Sequence, residues 1–208
     1  MNSRRTATIS TMAIIAFAAT VAMADGATVN VKVNWEGKAY KAKPMRNMNK
    51  ECVGFHAPSG SALLDQHGCI YVPRVLGVMV GQTLEIRNSD PTAHNVHFTP
   101  KKNKEFNKSQ PKKDLVEKLT FKRSEMMVPV KCDVHPWMGA FVGVMDNPFF
   151  GTTRGDGTVQ IEGLPGGTYT LVAWHEKFGE KTTEITVSTD GSADAEFTFS
   201  RADKKRRK

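Results

Sequence analysis

The chain has 208 residues, 39% of them hydrophobic and 24% charged, and its formal net charge at neutral pH is +8. This length is enough for one medium domain or two small ones. Because the chain is basic but carries no recognisable nucleic-acid fold, acidic proteins or anionic surfaces are the expected partners, and nucleic acid is not.

Residues 1–24 have the features of an export signal. Arginines near the start are followed by a short apolar run, residues 12–23, and an Ala-x-Ala cleavage pattern ends at Ala24. The apolar run is too short to span a bilayer. We therefore expect a mature chain that begins at Asp25 with a net charge of +6, in the periplasm or an equivalent exported space.

The hydrophobic pattern that follows is that of strands. Hydrophobic and polar residues alternate over residues 29–35, which predicts a half-buried strand. Residues 75–80 and 83–88 flank Gly81-Gln82, which we interpret as a hairpin. Further strands are predicted over 94–98, 116–121, 126–132 and 140–146. These segments predict an antiparallel β-sandwich, whereas residues 45–70 have no regular pattern.

Residues 101–113 are polar and rich in lysine, with a proline near each end. A solvated loop is the favoured interpretation. The alternative is a basic docking face for an acidic redox partner.

The residues with the clearest chemistry lie in a short segment from Cys132 to Met138. A thiol, the imidazole of His135 and a thioether occur there within seven residues, and His94 lies upstream. Two histidines, one cysteine and one methionine suit a trigonal copper site with a weak axial sulfur. Zinc is a weaker alternative because it prefers a harder ligand or a thiolate to methionine. His97 should point away from His94 on an extended strand, which favours a surface position.

Cys132 has two other interpretations. Taken alone, it would be an inert buried cysteine, but the neighbouring donors argue against that. A c-type haem is excluded because the Cys-x-x-His segment lacks a second cysteine.

The Cys-x2-His-x2-Met loop resembles the short ligand loop of amicyanin, a cupredoxin, and residues 94–98 (His-Asn-Val-His-Phe) resemble the first-ligand strand of amicyanin and plastocyanin. The resemblance covers roughly residues 70–146. It implies a cupredoxin Greek-key β-sandwich in which His94, Cys132 and His135 are equatorial copper ligands and Met138 is axial. The loop departs from the family where Asp133-Val134 replaces Thr-Pro.

The resemblance also implies a function, that of a one-electron carrier. Electrons would pass through the exposed edge of His135, within an apolar patch formed by Pro136, Trp137, Gly139 and Phe141. Asn95 would tie the His94 strand to the Cys132 loop. The implied partners are acidic redox proteins, such as c-type cytochromes or a dehydrogenase, and the expected state is a monomer. The four ligands leave no open position for a substrate, so no enzymatic activity is expected.

Two cysteines remain if Cys132 holds a metal. In an oxidising compartment Cys52 and Cys69 can then pair in a disulfide. The alternative is two independent thiols.

A second unit is predicted over residues 147–200, after a copper domain over 25–146. Its Asp156-Gly157 turn, its Leu164-Pro165-Gly166 segment and several strands resemble a carboxypeptidase regulatory-like, transthyretin-type β-sandwich. The predicted fold class is therefore all-β throughout. Because the second unit is short, the strand over 29–35 could pair with it. The basic residues 201–208 are expected to be a disordered tail.

Two alternative functions stay open. Scattered methionines, among them Met45, Met48, Met126 and Met127, could belong to a copper-binding or copper-delivery protein, although such residues more often fill a core. The second sandwich could instead indicate an envelope scaffold with an incidental metal site.

Overall fold

The computed structural model describes residues 12–16, 26–36 and 60–203, with the backbone alone over 12–16. Within these ranges the chain forms strands and one short 3-10 turn, so the all-β fold class is confirmed. No helix in the described ranges is long and apolar enough to cross a membrane. The strands are β1 (Met12–Ala16), β2 (Ala27–Glu36), β3 (Ala62–Gln66), β4 (Tyr71–Val72), β5 (Val75–Met79), β6 (Thr83–Asn88), β7 (His94–Phe98), β8 (Phe106–Gln110), β9 (Val116–Thr120), β10 (Glu125–Lys131), β11 (Gly139–Met145), β12 (Phe150–Thr152), β13 (Thr158–Leu164), β14 (Gly167–His175), β15 (Gly179–Val187) and β16 (Ser192–Ser200).

The chain divides into two compact units. The central unit is Asn47–Pro148, and the terminal unit combines Met1–Arg46 with Phe149–Lys208. The strand expected over residues 29–35 lies in the terminal unit as β2. It is thus outside the unit that carries the predicted metal ligands.

The central unit is a sandwich of two sheets. One has the strand order β5-β11-β10-β7-β8 and the other β4-β3-β6-β9. Side chains alternate along β6, where Leu84 and Ile86 are fully buried and their neighbours are not. The inward residues of both sheets form one apolar cluster that includes Phe98 and Val130. Alternation with a period of two therefore buries one face of each strand.

The hairpin predicted around Gly81-Gln82 is wrong. β5 pairs in parallel with β11, whereas β6 pairs with β3 and β9 in the other sheet. The turn at Gly81, with φ of 82°, carries the chain from one sheet to the other. Both strands have an inward apolar face, and alternation does not specify which strand lies beside them.

Three strands of the central unit lie where the sequence predicted none. β3 falls within the stretch without a pattern, β4 directly follows that stretch, and β8 falls within the lysine-rich segment. β8 pairs with β7 through a five-residue register, from His94 opposite Gln110 to Phe98 opposite Phe106. It is an edge strand with three exposed residues, so it lacks the hydrophobic alternation that identifies a half-buried strand.

The terminal unit has two further sheets, β12-β1-β14-β15 and β13-β2-β16. β2 is central in the second sheet, antiparallel to β13 and parallel to β16. Its alternate residues Val29, Val31 and Val33 are buried against Leu171 and Phe199 in a separate apolar cluster. Long-range pairing with β13 and β16 thus places β2 in a sheet whose other two strands come from the C-terminal part.

Two segments of this unit, one near each end of the chain, have a structure that the sequence did not predict. β1 lies inside the apolar run of the predicted export signal, and its backbone pairs with both β12 and β14. A disordered tail is expected over residues 201–208, but its first three residues, Arg201–Asp203, form a 3-10 turn. Asp203 accepts a hydrogen bond from the Ser200 amide and forms an ion pair with Lys181, which explains the order.

Candidate metal centre

Strand pairing brings the predicted ligands together at one end of the central sandwich. β7 and β10 are antiparallel neighbours, with Lys131 opposite His97. The chain that continues past Lys131 therefore runs back toward His94, the first residue of β7. Cys132 also continues the inward series of β10, after Val128 and Val130.

Three donor atoms converge there. His94 Nδ1 lies 2.9 Å from His135 Nδ1, and Cys132 Sγ lies 3.8 Å from that same His135 atom. The three ligand atoms are all within 4.8 Å of one another. Donors that share a metal ion at bonds of about 2.0–2.3 Å stand roughly 3 to 4 Å apart, so this trio fits a single metal ion.

The three side chains differ in exposure. His94 is fully buried and Cys132 is 2% exposed, whereas His135 is half-buried. The thiol and one imidazole therefore lie in the core, and the second imidazole reaches the surface.

The loop between β10 and β11 is closed by hydrogen bonds of its own. The His135 amide donates to Cys132 Sγ at 3.4 Å. The Cys132 amide donates to the Met138 carbonyl at 3.3 Å, and the Met138 amide donates to the His135 carbonyl at 2.9 Å. Met138 is 2% exposed and belongs to the same apolar cluster as Cys132. Its axial role stays a prediction.

His94 is oriented by a carboxylate that the sequence analysis missed. Its Nε2 lies 2.9 Å from Asp90 Oδ2. An ionised carboxylate can only accept hydrogen bonds, so His94 donates from Nε2 and turns the lone pair of Nδ1 into the site. Burial raises the pKa of Asp90, but hydrogen bonds from the Cys69 amide and from His94 outweigh it and leave that pKa below its ordinary value.

Asn95 links the strand that begins with His94 to the loop that carries Cys132. The Asp133 amide donates to Asn95 Oδ1 at 2.5 Å, and Asn95 Nδ2 donates to Asp133 Oδ2 at 3.0 Å. The Tyr71 hydroxyl adds a second link, because it donates to the carbonyls of Asn95 and Lys131 on adjacent strands. Burial raises the pKa of Tyr71, which keeps this hydroxyl protonated.

Asp133 lies in a polar network outside the donor trio. Hydrogen bonds from Lys131, then Asn95 and His97, hold the pKa of Asp133 well below its usual range. His97 is placed between two carboxylates, with Nδ1 at 2.9 Å from Asp133 and Nε2 at 2.6 Å from Glu105. It therefore points away from the donor trio, as the strand parity predicted.

The disulfide predicted between Cys52 and Cys69 is not shown. Cys69 has a free thiol in the structure, and Cys52 lies outside the described residues. Cys69, Asp90 and His94 have ligand atoms within 4.8 Å of one another. Burial raises the pKa of the Cys69 thiol, with the Asp90 carboxylate as the next cause.

An apolar surface surrounds the exposed edge of His135. Trp137 is 66% exposed and Val134 is 57% exposed. The Trp137 ring lies 5.1 Å from the His135 ring, and its indole N–H donates to the Cys69 carbonyl at 3.1 Å. Of the residues expected in this patch, Pro136 is exposed, and Gly139 and Phe141 are half-buried.

No family model and no curated protein matches the chain. Among solved structures, a Cu(I) form of an amicyanin mutant is 30% identical, with a TM-score of 0.37; the match covers 44% of this chain and 90% of that one. A purple cupredoxin from Nitrosopumilus maritimus is 22% identical, with a TM-score of 0.35, and the match covers 40% and 99% of the two chains. At these TM-scores the likeness by itself assigns no function.

Proposed function

We propose that this protein is a mononuclear type 1 copper protein that carries single electrons between redox partners. The observation that supports this most directly is the convergence of His94 Nδ1, His135 Nδ1 and Cys132 Sγ within 4.8 Å of one another. Two imidazoles and one thiolate, with a buried methionine nearby, are the donors of an electron-transfer copper site. Bound copper would supply a one-electron couple between Cu(I) and Cu(II).

The protein's part is to hold these donors still. His94 is fixed by Asp90, and Cys132 is fixed by the His135 amide and by the Met138 carbonyl. Donors that are already in place need little rearrangement when the charge of a bound ion changes, which lowers the barrier to electron transfer. No side chain is assigned a catalytic role.

We place the docking surface at the half-buried edge of His135. The exposed Trp137 and Val134 supply an apolar contact area around the one donor of the trio that reaches the surface. The lysine-rich segment, including β8, is a separate basic surface with exposed residues such as Lys108. A matching partner is an acidic redox protein, such as a c-type cytochrome or a dehydrogenase, that meets a monomer of this chain.

We further propose that the protein works in the periplasm or an equivalent exported space. The charged start, apolar run and Ala-x-Ala pattern of residues 1–24 support this. Mass spectrometry of protein recovered from that compartment should give a chain that begins at Asp25. A chain that retains β1, Met12–Ala16, would contradict the cleavage site.

The spectrum of the copper-loaded protein tests the main proposal. A Cys132 thiolate bound to Cu(II) should give an intense visible charge-transfer band and a narrow copper hyperfine splitting in EPR. Cys132→Ser should lose the band while the histidines retain some copper. Cys69→Ser is the matched control, because it removes a nearby thiol outside the trio, and its band should persist. A colourless copper-loaded wild type would contradict the type 1 assignment.

Copper delivery is the second candidate, and one observation favours it. The Cys69 thiol is half-buried beside His94, so a soft donor lies next to the trio on a less buried side. A delivery protein should release Cu(I) to a chelator within seconds to minutes, and Cys69→Ser should slow that release. Release that is slow and independent of Cys69 would leave electron transfer as the function.

A further inference from the structure

The Asp90 carboxylate is buried and fully engaged. Asp90 is 6% exposed. Its Oδ1 accepts the Gly68 amide at 2.7 Å, and its Oδ2 accepts both the Cys69 amide at 2.8 Å and His94 Nε2 at 2.9 Å. Its own amide donates to Asn88 Oδ1 at 2.9 Å. A carboxylate with three donors around it has little capacity left to bind a metal ion, although its oxygen lies near Cys69 and His94.

The turn that supplies the two amides is itself held in place. Gly68 and Cys69 have φ of 67° and 56°, so both are in the left-handed region, which a cysteine adopts only when its surroundings require it. In this conformation two successive N–H groups point at one anion. The Cys69 carbonyl accepts the Trp137 indole N–H from the ligand loop. The turn thus connects the carboxylate behind His94 to the loop that carries Cys132.

A formal negative charge in this position has two consequences. It fixes the tautomer of His94, because only Nε2–H can donate to it. It also adds charge near the metal pocket, where burial weakens screening by water. A negative charge stabilises the more positive oxidation state of a nearby ion more than the less positive one.

We propose that Asp90 is a positioning residue that holds His94 in the Nε2–H tautomer and lowers the reduction potential of the centre. The effect on the reduction potential rests on the copper function proposed above. The effect on the His94 tautomer concerns the protein without metal. Asp90 acts through His94 and touches no reacting atom.

Two substitutions separate shape from charge. Asp90→Asn keeps an oxygen that can accept His94 Nε2–H but removes the charge, whereas Asp90→Ala removes both. The matched control is Glu125→Gln, because Glu125 is 7% exposed and also accepts backbone amides, from Lys101 and Lys102. Glu125 begins β10 and Lys131 ends it, which puts the control roughly 20 Å from the pocket.

The metal-free protein gives the first readout. Long-range ¹H–¹⁵N NMR should show His94 as the Nε2–H tautomer in the wild type, in Asp90→Asn and in Glu125→Gln. In Asp90→Ala the tautomers should mix. A wild-type His94 protonated at Nδ1, or an unchanged tautomer in Asp90→Ala, would overturn the positioning role whether or not the protein is a copper carrier.

The copper-loaded protein gives the second readout. Asp90→Asn should keep the visible band, raise the reduction potential, and lose more affinity for Cu(II) than for Cu(I). Asp90→Ala should lose about 10–100-fold in Cu(II) affinity, the usual effect of removing a group that orients a metal-binding histidine. Glu125→Gln should leave both quantities unchanged, even if the protein melts earlier. An Asp90→Asn potential equal to that of the wild type or of Glu125→Gln would refute the charge effect. A copper-loaded wild type without the band would refute the type 1 copper function proposed above and leave the tautomer result standing.

Discussion

The two units are both β-sandwiches with apolar cores, but they bury polar groups very differently. Among the described residues, seven of the nine buried polar side chains lie in the central unit: Gln66, Asn88, Asp90, His94, Asn95, Gln110 and Glu125. The terminal unit has Thr153 and His175. Buried polar groups cost free energy unless their hydrogen bonds are made, so their concentration in one unit needs a reason.

In the central unit, two of these groups, Asn88 and Asp90, fix the segment before His94. Asn88 donates to the Gln110 carbonyl at 3.0 Å and accepts the Asp90 amide at 2.9 Å, while Asp90 holds His94. Hydrogen bonds have preferred directions and apolar contacts do not. The central unit therefore gains fixed side-chain orientations, whereas the terminal unit is held mainly by packing around residues such as Phe199.

The largest expected effect is on copper affinity. His94→Ala should weaken copper binding by at least about 100-fold, because it removes a donor and leaves the Asp90 carboxylate buried without its histidine. Met138→Leu should change affinity far less and mainly raise the reduction potential, since an axial thioether bond is long and weak. Competition titrations with a chelator measure both. Equal losses of affinity would show that the division into equatorial and axial ligands is wrong.

The second prediction compares equivalent cavities in the two units. Phe98 and Phe199 are both fully buried, and each packs against other aromatic rings. Either Phe→Ala change should cost about 3–5 kcal/mol of unfolding free energy in its own unit. Only Phe98→Ala should also weaken copper binding, because Phe98 lies on β7 with His94.

Tryptophan fluorescence can follow the units separately. Trp137 is in the central unit, and Trp35 and Trp174 are in the terminal one, so Trp137→Phe removes the central signal. If Phe199→Ala loses as much copper affinity as Phe98→Ala, the expectation that only the central unit affects copper binding is wrong.

The third prediction concerns the predicted disulfide of the central unit. If exported protein contains Cys52–Cys69, then Cys52→Ser and Cys69→Gly should each cost about 3 kcal/mol, the value expected for a closed loop of this size. Glycine readily adopts the φ of 56° at position 69, so the substitution adds no backbone strain. Urea denaturation with and without reductant measures the effect. A Cys69→Gly variant as stable as the wild type would contradict the disulfide.

The smallest predicted effect is on the terminal unit and depends on pH. Burial is the main cause that lowers the pKa of His175 from 6.5 to about 4. Above pH 6.5 the side chain is neutral in both the folded and the unfolded state, and stability is complete. As pH falls from 6.5 to about 4, only the unfolded state takes up the proton, so stability falls by about 2–3 kcal/mol.

His175→Gln is the matched variant for this pH dependence. The Lys177 amide donates to His175 Nδ1 at 3.0 Å, and the glutamine oxygen can replace that acceptor. The stability of the terminal unit should therefore depend much less on pH in His175→Gln. Thermal melts between pH 4 and 7, recorded in a Trp137→Phe background, measure this. An unchanged slope would assign the effect to another group.

Alternation along the chain was enough to predict most strands, because burial of one face leaves a period of two in the sequence. The predicted strand at 94–98 coincides with β7. The same pattern could not predict partners, so the hairpin around Gly81 was wrong and β2 was not assigned to one sheet. β8 was missed because an edge strand with exposed lysine and asparagine needs no apolar face.

By itself the sequence determined the donor types and the loop that carries them. Cys132, His135 and Met138 are close along the chain, so covalent geometry alone keeps them within reach of one another. Only the tertiary structure decided that His94 meets them through Nδ1 and that Asp90 lies behind its other nitrogen. Those contacts depend on β7 pairing with β10 and on the Gly68–Cys69 turn reaching Asp90. Local spacing leaves a readable pattern in one sequence, whereas a contact between distant segments depends on packing of the whole unit.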